Sequence, residues 1–387
     1  MDREPYPTGP DVLEHGAGRD DRPGRPWLRW LALALAAVVA LVLVVRAERR
    51  DPGPPAAERS TAAPSTAATS ASAVGPVGSG PAVTELGHPL FGGTAGWELF
   101  GRGPDAVVRI EPAPGRVSVT AVPGLASGGP VSFLAGPGRV VIRPLDRVPG
   151  YAVPDGRPAQ ALTGALAEEG PLIPGPEPGT GWLTREHRYE LVGLDGQARN
   201  VALDQPTLDG GGFVEPDGAG YPLFTGTGGS YSVRPDGIRR LTSGAVLAVG
   251  RTRALARECD ERYRCATVVV DRRTGARRPL PGRLPSALQV GGSVSPDGNR
   301  AALLVEQPPL RPMVHLIDLN TGADRPLDAR IESASFDESQ YAWSPDGRFL
   351  FLLDADGELH ATETNSGRSG KVDLGLPRLT QLAVRSR

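Results

Sequence analysis

Lysine is almost missing from this 387-residue chain: of 42 basic residues, Lys371 is the only lysine. The arginine bias suggests a high-GC bacterial genome and says nothing about function. Against 44 acidic residues the net charge is −2, so charge offers no argument for a nucleic-acid partner or a polybasic membrane surface. Aromatic residues make up 5%, and there are two cysteines and five histidines. No G-x-S-x-G elbow, Walker loop, H-E-x-x-H pair or Cys-His cluster occurs, which removes the linear signatures of several hydrolase, nucleotide-binding and zinc classes. No cofactor, no metal site and no catalytic residue is expected from these absences.

Glycine (51) and proline (40) are abundant, and they fall in a pattern. Ser344-Pro-Asp-Gly347 lies between two apolar strands, Ser295-Pro-Asp-Gly298 repeats it, and Glu215-Pro-Asp-Gly218 does so more loosely. Proline presets φ for the first corner, aspartate bonds its own backbone and glycine takes positive φ, so each copy predicts a hairpin. A second turn ends at Gly115, Gly156, Gly196, Gly237, Gly275, Gly322 and Gly367. The first falls between them at Gly138, Gly179, Gly218, Gly250, Gly298 and Gly347. A hairpin repeat of about 40 residues predicts a β-propeller, all-β and without helices in the domain. Seven turns of one kind and six of the other predict seven four-stranded antiparallel blades, one of which lacks its innermost strand at the start of the domain. The segment Leu379–Arg385 alternates, has no partner strand after it, and is expected to close the ring on a first blade built from 97–102, 106–111 and 116–122.

Ahead of that domain (residues 84–387) the chain divides into three. Residues 1–26 are polar and aperiodic, a disordered tail expected in the cytoplasm. Residues 27–46 contain an uncharged apolar run from Trp30 to Val45, extended by Leu28 and a snorkelling Arg29 toward the roughly 20 residues of a single-pass membrane helix. A cleaved signal peptide is the competing assignment; no small-residue cleavage site follows Val45, which favours an uncleaved signal anchor. Arginines balance on its two sides, so the positive-inside rule does not orient it. Residues 47–83, rich in Pro, Ala, Ser and Thr, predict a semi-extended linker outside the membrane.

Cys259 and Cys265 flank a five-residue loop between two strand-like runs, where opposed hairpin positions lie within disulfide range. Two reduced thiols are the alternative; zinc lacks further ligands nearby. A disulfide implies an oxidising compartment and therefore an extracytoplasmic propeller on a cell membrane. Asp354-Ala-Asp-Gly-Glu358 has the start of a calcium loop without its twelfth-position glutamate and is read as a hairpin loop; His315 and His360 fall within strands as packed or solvated residues.

The Ser-Pro-Asp-Gly turns at Ser295–Gly298 and Ser344–Gly347, with the later turns Asp271–Gly275 and Asp318–Gly322, resemble the repeats of TolB-like, WD-repeat-like bacterial propellers. The likeness covers about a third of the chain, the last three repeats, and is weak from 85 to 210. It implies an extracytoplasmic scaffold without a cofactor, an implication from fold alone.

Two function classes follow. The first is a membrane-tethered propeller that binds a protein, peptide or glycan of the bacterial envelope. The second is a propeller enzyme, a hydrolase, lyase or cyclotransferase, with residues from several blades meeting in the central channel. An acid-base cluster at the channel mouth would favour the enzyme, and an apolar rim the binder. The long connections 306–312 and 328–340 and the loop 260–264 fall on one predicted face, so the candidate binding residues are Arg262, Tyr263, Arg264, Glu306, Arg311, Glu332, Phe336 and Glu338.

Overall fold

The computed structural model describes residues 79–92, 96–122, 124–125, 131–145, 149–185, 188–205, 214–226, 228–282, 284, 288–306, 312–330 and 340–387. The expected tail and membrane helix, and the linker up to residue 78, lie outside these. Among the described residues no helix is long and apolar enough to cross a membrane, and a 3-10 turn lies at Gly164–Ala167.

Everything else is strand. The chain runs β1 (Ala82–Glu85), β2 (Trp97–Arg102), β3 (Ala106–Glu111) and β4 (Arg116–Ala121), then β5 (Val131–Gly136), β6 (Arg139–Pro144), β7 (Tyr151–Pro154) and β8 (Gln160–Ala161). Next come β9 (Leu172–Pro174), β10 (Thr180–Arg185), β11 (Arg188–Gly193) and β12 (Ala198–Asp204), followed by β13 (Val214–Pro216), β14 (Pro222–Gly226), β15 (Gly229–Arg234) and β16 (Gly237–Thr242). Then follow β17 (Ala245–Val249), β18 (Arg253–Cys259), β19 (Cys265–Asp271), β20 (Arg277–Pro279), β21 (Leu288–Val294), β22 (Arg300–Glu306), β23 (Met313–Asp318) and β24 (Asp324–Arg330). The last are β25 (Tyr341–Trp343), β26 (Phe349–Leu353), β27 (Leu359–Glu363), β28 (Ser369–Lys371) and β29 (Gln381–Ser386).

The strands form six sheets: four of four strands, one of five and one of eight. This is a propeller-like arrangement of small antiparallel sheets, but with five free-standing blades rather than seven. The reason is local. β17–β20 and β21–β24 are each a consecutive antiparallel set, and one parallel bridge, Val249 to Ser293, fuses their first strands. First strands are neighbours elsewhere too: β29 contacts β5 and β25, β5 contacts β9, and β9 contacts β13. The apolar core lies between successive sheets, as where Trp182 and Tyr189 meet Phe224 and Val233.

The C-terminal strand closes the ring. β29 pairs antiparallel with β2 from Trp97–Ser386 to Arg102–Gln381. Leu382 and Val384 pack with Ala342 and Phe351 on one side, and Ala383 packs with Phe133 and Val140 on the other. Ala82–Glu85 adds a fifth strand, β1, to the outer edge of β4.

The repeated turns have a physical basis. In Ser295–Gly298 the buried Ser295 hydroxyl accepts the N–H of Arg300 at 3.0 Å and donates to Asp297 at 2.5 Å, while Asp297 accepts the N–H of Asn299. Ser344 and Asp346 do the same for Phe349 and Arg348. All seven glycines of the second turn have positive φ, and so do five of the six of the first. Gly250 is the exception. A Cβ there would meet Val294 of the neighbouring strand at 2.7 Å, so glycine serves close packing at the fused sheet instead of a left-handed turn.

Candidate interaction face and inter-sheet cavity

Successive antiparallel strands put the first-to-second and third-to-fourth turns of each blade on one face. The second-to-third loops and the connections between blades open on the other. On this second face β18 and β19 project beyond their sheet as a hairpin whose residues 259–266 are all exposed. Cys259 and Cys265 are opposed in register and joined by a disulfide, with Cα atoms 3.9 Å apart.

Asp260 organises the tip. Its Oδ1 accepts the backbone N–H of Arg262 and of Arg264, each at 2.9 Å, and its Oδ2 takes the Arg264 guanidinium at 2.7 Å. Hydrogen bonds from the Arg264 backbone and then its side chain hold this carboxyl below the usual aspartate range. The Asp260 carbonyl accepts the N–H of Tyr263 at 2.9 Å. Tyr263 is thereby held at φ 58°, a left-handed angle a bulky residue seldom adopts, with its side chain 89% exposed. Three predicted site residues, Arg262, Tyr263 and Arg264, thus sit together on one braced tip.

Of the other five, only Glu306 is described. Glu306 ends β22, half-buried and paired with Leu288, so the first residue of the predicted loop belongs to a strand. The predicted connection 328–340 is shortened as well, since β24 runs through Arg330. Arg311, Glu332, Phe336 and Glu338 lie outside the described residues.

Among the described side chains of β5, β9, β17, β21, β25 and β29, Arg385 is the only charged one. It is engaged: it pairs with Glu98 and with Asp155 at 2.6 Å, donates to the Gly136 carbonyl at 2.8 Å and stacks over Phe100. Burial alone would raise Glu98, but hydrogen bonds from Arg109 and Arg387 and the charge of Arg385 hold it below the ordinary glutamate value of 4.5. Arg272 and Asp217 form a second buried pair, again joining neighbouring sheets. These groups brace the ring on the turn face.

Two local clusters remain. His315 bonds Asp324 at 2.8 Å across β23 and β24. Asp354 opens the β26–β27 loop as an Asx turn, accepting the N–H of Asp356 and Glu358, and bonds His360 at 2.9 Å. Glu358 completes a group of three potential metal ligands within 4.8 Å of one another, which the sequence reading missed because it stopped at Glu358 and His360 lies beyond the loop. Lys371 bonds Glu358 at 2.6 Å and occupies that side with its own positive charge.

A cavity of 690 Å³ opens between the sheets of β5–β8 and β9–β12, lined by Leu145, Glu168, Glu169, Gly170, Arg185 and Arg188, with Thr184. Arg185 pairs with Glu168, and with Glu190 at 2.9 Å. No sequence motif marks this site, because its walls come from the residue after β6, the connection before β9 and the strands β10 and β11.

No protein-family model matches the chain, and no curated protein matches it. Solved structures resemble it in fold. A prolyl endopeptidase shares 14% identity at a TM-score of 0.50, covering 79% of this chain and 50% of its own. TolB from Acinetobacter baumannii shares 15% identity at 0.40, covering 74% of this chain and 66% of its own. AztD from Citrobacter koseri shares 14% at 0.42, covering 73% and 83%. TolB and AztD are β-propeller proteins, and at these identities the likeness concerns the fold alone.

Proposed function

We propose that this chain is a membrane-tethered, extracytoplasmic propeller that binds a protein, peptide or glycan partner in the bacterial envelope through the hairpin tip at 260–264. The single observation that carries this reading is the tip itself: a tyrosine almost fully exposed, on a loop braced by a disulfide and by Asp260. Preorganisation lowers the ordering cost of binding, and tyrosine and arginine are common energetic anchors at interfaces. The disulfide favours an oxidising compartment, consistent with the apolar run 30–45 acting as an anchor and the Pro-rich stretch as a tether. We also read the eight-stranded sheet as two blades, giving seven in all. Seven apolar clusters among the described residues, each shared by successive four-strand sets, support that count.

The test compares crosslinked partners in the envelope for wild type, Tyr263→Ala and a Cys259→Ser/Cys265→Ser variant. The reading expects a partner that is lost with Tyr263→Ala and weakened without the disulfide. Crosslinks unchanged in both variants would refute it.

A further inference from the structure

Cys259 and Cys265 are the only cysteines of the chain, and the bond between them lies outside its core. Every residue from 259 to 266 is exposed, and on β19 the buried core begins only at Val268. Domains too small to build a core need disulfides for stability, whereas this one already has seven apolar clusters among its described residues. The base of the hairpin is secured separately. Glu258, next to the disulfide, accepts the Thr242 hydroxyl at 2.7 Å and the Arg277 guanidinium at 3.2 Å, and the Thr267 carbonyl accepts the N–H of Leu280 at 2.9 Å. What the disulfide braces is therefore the tip alone.

Beyond the disulfide the tip is held by exposed hydrogen bonds. The Asp260 N–H donates to the Arg264 carbonyl at 3.0 Å and the Tyr263 N–H to the Asp260 carbonyl, while the Asp260 carboxylate accepts the N–H groups of Arg262 and Arg264. Such bonds compete with water and each adds little net stability. The left-handed backbone of Tyr263 works against them. Cross-linking 259 to 265 removes open conformations of the loop and shifts that balance to the braced form. Opening the cross-link returns those conformations to the tip and leaves the ring of sheets as it is. An exposed disulfide is also within reach of an attacking thiolate.

We propose that the Cys259–Cys265 bond is a reversible redox switch: a thiol reductant opens it, the tip loosens and partner binding falls, and reoxidation restores both. A thiolate attacks one cysteine sulfur and forms a mixed disulfide while the other cysteine leaves as a thiolate, and a second thiol then resolves the mixed disulfide. Two electrons and two protons pass from the two thiols to Cys259 and Cys265, and the donor leaves as its own disulfide. The gating of binding rests on the reading of the tip as a partner-binding element; the loosening does not.

The experiment holds the purified full-length chain in glutathione buffers of graded reduced-to-oxidised ratio. Free thiols are counted by maleimide mass shift without denaturant, and amide hydrogen exchange and melting temperature are recorded in each buffer. Crosslinking from position 263 to envelope partners is repeated in the oxidised, reduced and reoxidised states. Both thiols are expected to appear in the folded chain and to disappear on reoxidation. The amides of Asp260, Arg262, Tyr263 and Arg264 are donors in the braced tip, so their exchange should rise at least about tenfold on reduction while that of Val268–Val270 stays unchanged. The melting temperature should move by less than about 2 °C. Adducts from position 263 should fall at least about fivefold and return on reoxidation. Cys259→Ser/Cys265→Ser should show the reduced pattern in every buffer. A disulfide that resists glutathione until the chain unfolds, or tip exchange unchanged by reduction, would overturn the proposal. So would a melting temperature that collapses with the bond, since the bond would then serve the fold, and so would undiminished adducts from the reduced chain. No adduct even in the oxidised state would refute the tip as a binding element, and the thiol counts and exchange rates would then decide the switch by themselves.

Discussion

Tyr263 keeps a left-handed backbone at φ 58° that costs a bulky residue on the order of 1–2 kcal/mol, while its ring touches almost nothing of its own protein. The hydrogen bonds of the Asp260 turn hold that angle, and the exposed ring is the proposed partner contact. Tyr263→Gly is therefore expected to melt at or slightly above the wild type, and Tyr263→Ala within about 0.5 kcal/mol of it. A marked loss of stability in either variant would mean that the tyrosine serves the fold. Glu98 is the opposite case, fully buried and shared by Arg109, Arg385 and Arg387. Removing its charge leaves those cations only Glu111 and Asp155, so Glu98→Gln is expected to destabilise in denaturant unfolding, by at most about 3–5 kcal/mol. Glu111, which pairs with Arg116 and Arg387, is likewise depressed: burial works against it, and arginine hydrogen bonds and charges outweigh that. Because both folded-state values lie below 4.5, this stabilisation is present above that pH and is lost as pH falls through the depressed values. Urea midpoints measured at descending pH should drop below 4.5 in the wild type and drop less in Glu98→Gln.

Among the elements, the two terminal strands differ in what they support. β29 pairs along six residues with β2 and packs on both sides, so truncation before Gln381 should abolish the cooperative unfolding transition seen by circular dichroism. β1 pairs along four residues and its side chains are all exposed. Its deletion should leave that transition in place but bare the edge of β4, which light scattering would register as self-association. A stable, monomeric chain after the β1 deletion would mean that the strand protects nothing. Closure by β29 was legible in the sequence because the turn glycines asked for one more strand and Leu382 and Val384 alternate. β1 was not, since four residues of Ala82-Val-Thr-Glu85 at the end of a low-complexity linker carry no pattern of their own. The Ser-Pro-Asp-Gly and Asp-x-x-Thr-Gly turns were legible because their hydrogen bonds are made within five residues. Gly250 was misjudged because the contact that demands glycine, with Val294, lies on another strand. The fusion of β17 with β21 escaped for the same reason.

At the scale of the whole molecule, the site was readable only where it is local. The disulfide-braced tip spans seven residues and announces itself through two cysteines, whereas the cavity gathers Leu145, Gly170 and Arg185 from separate segments and the buried ion cluster joins Glu98 to Arg387. The ring of sheets is a rigid platform, and loops on such a platform hold their tips in fixed positions. The account's central claim is that this platform displays Tyr263 to a partner outside the membrane. The most direct measurement places a photo-crosslinking amino acid at 263 and, separately, at Ile238, an exposed residue of β16 that serves as control. Intact cells are irradiated, and adducts are tested for digestion by protease added from outside. The account predicts a discrete, protease-accessible adduct from position 263 that is absent from 238 and is lost when both cysteines are replaced by serine. The same adducts from both positions, or an adduct protected from external protease, would contradict it.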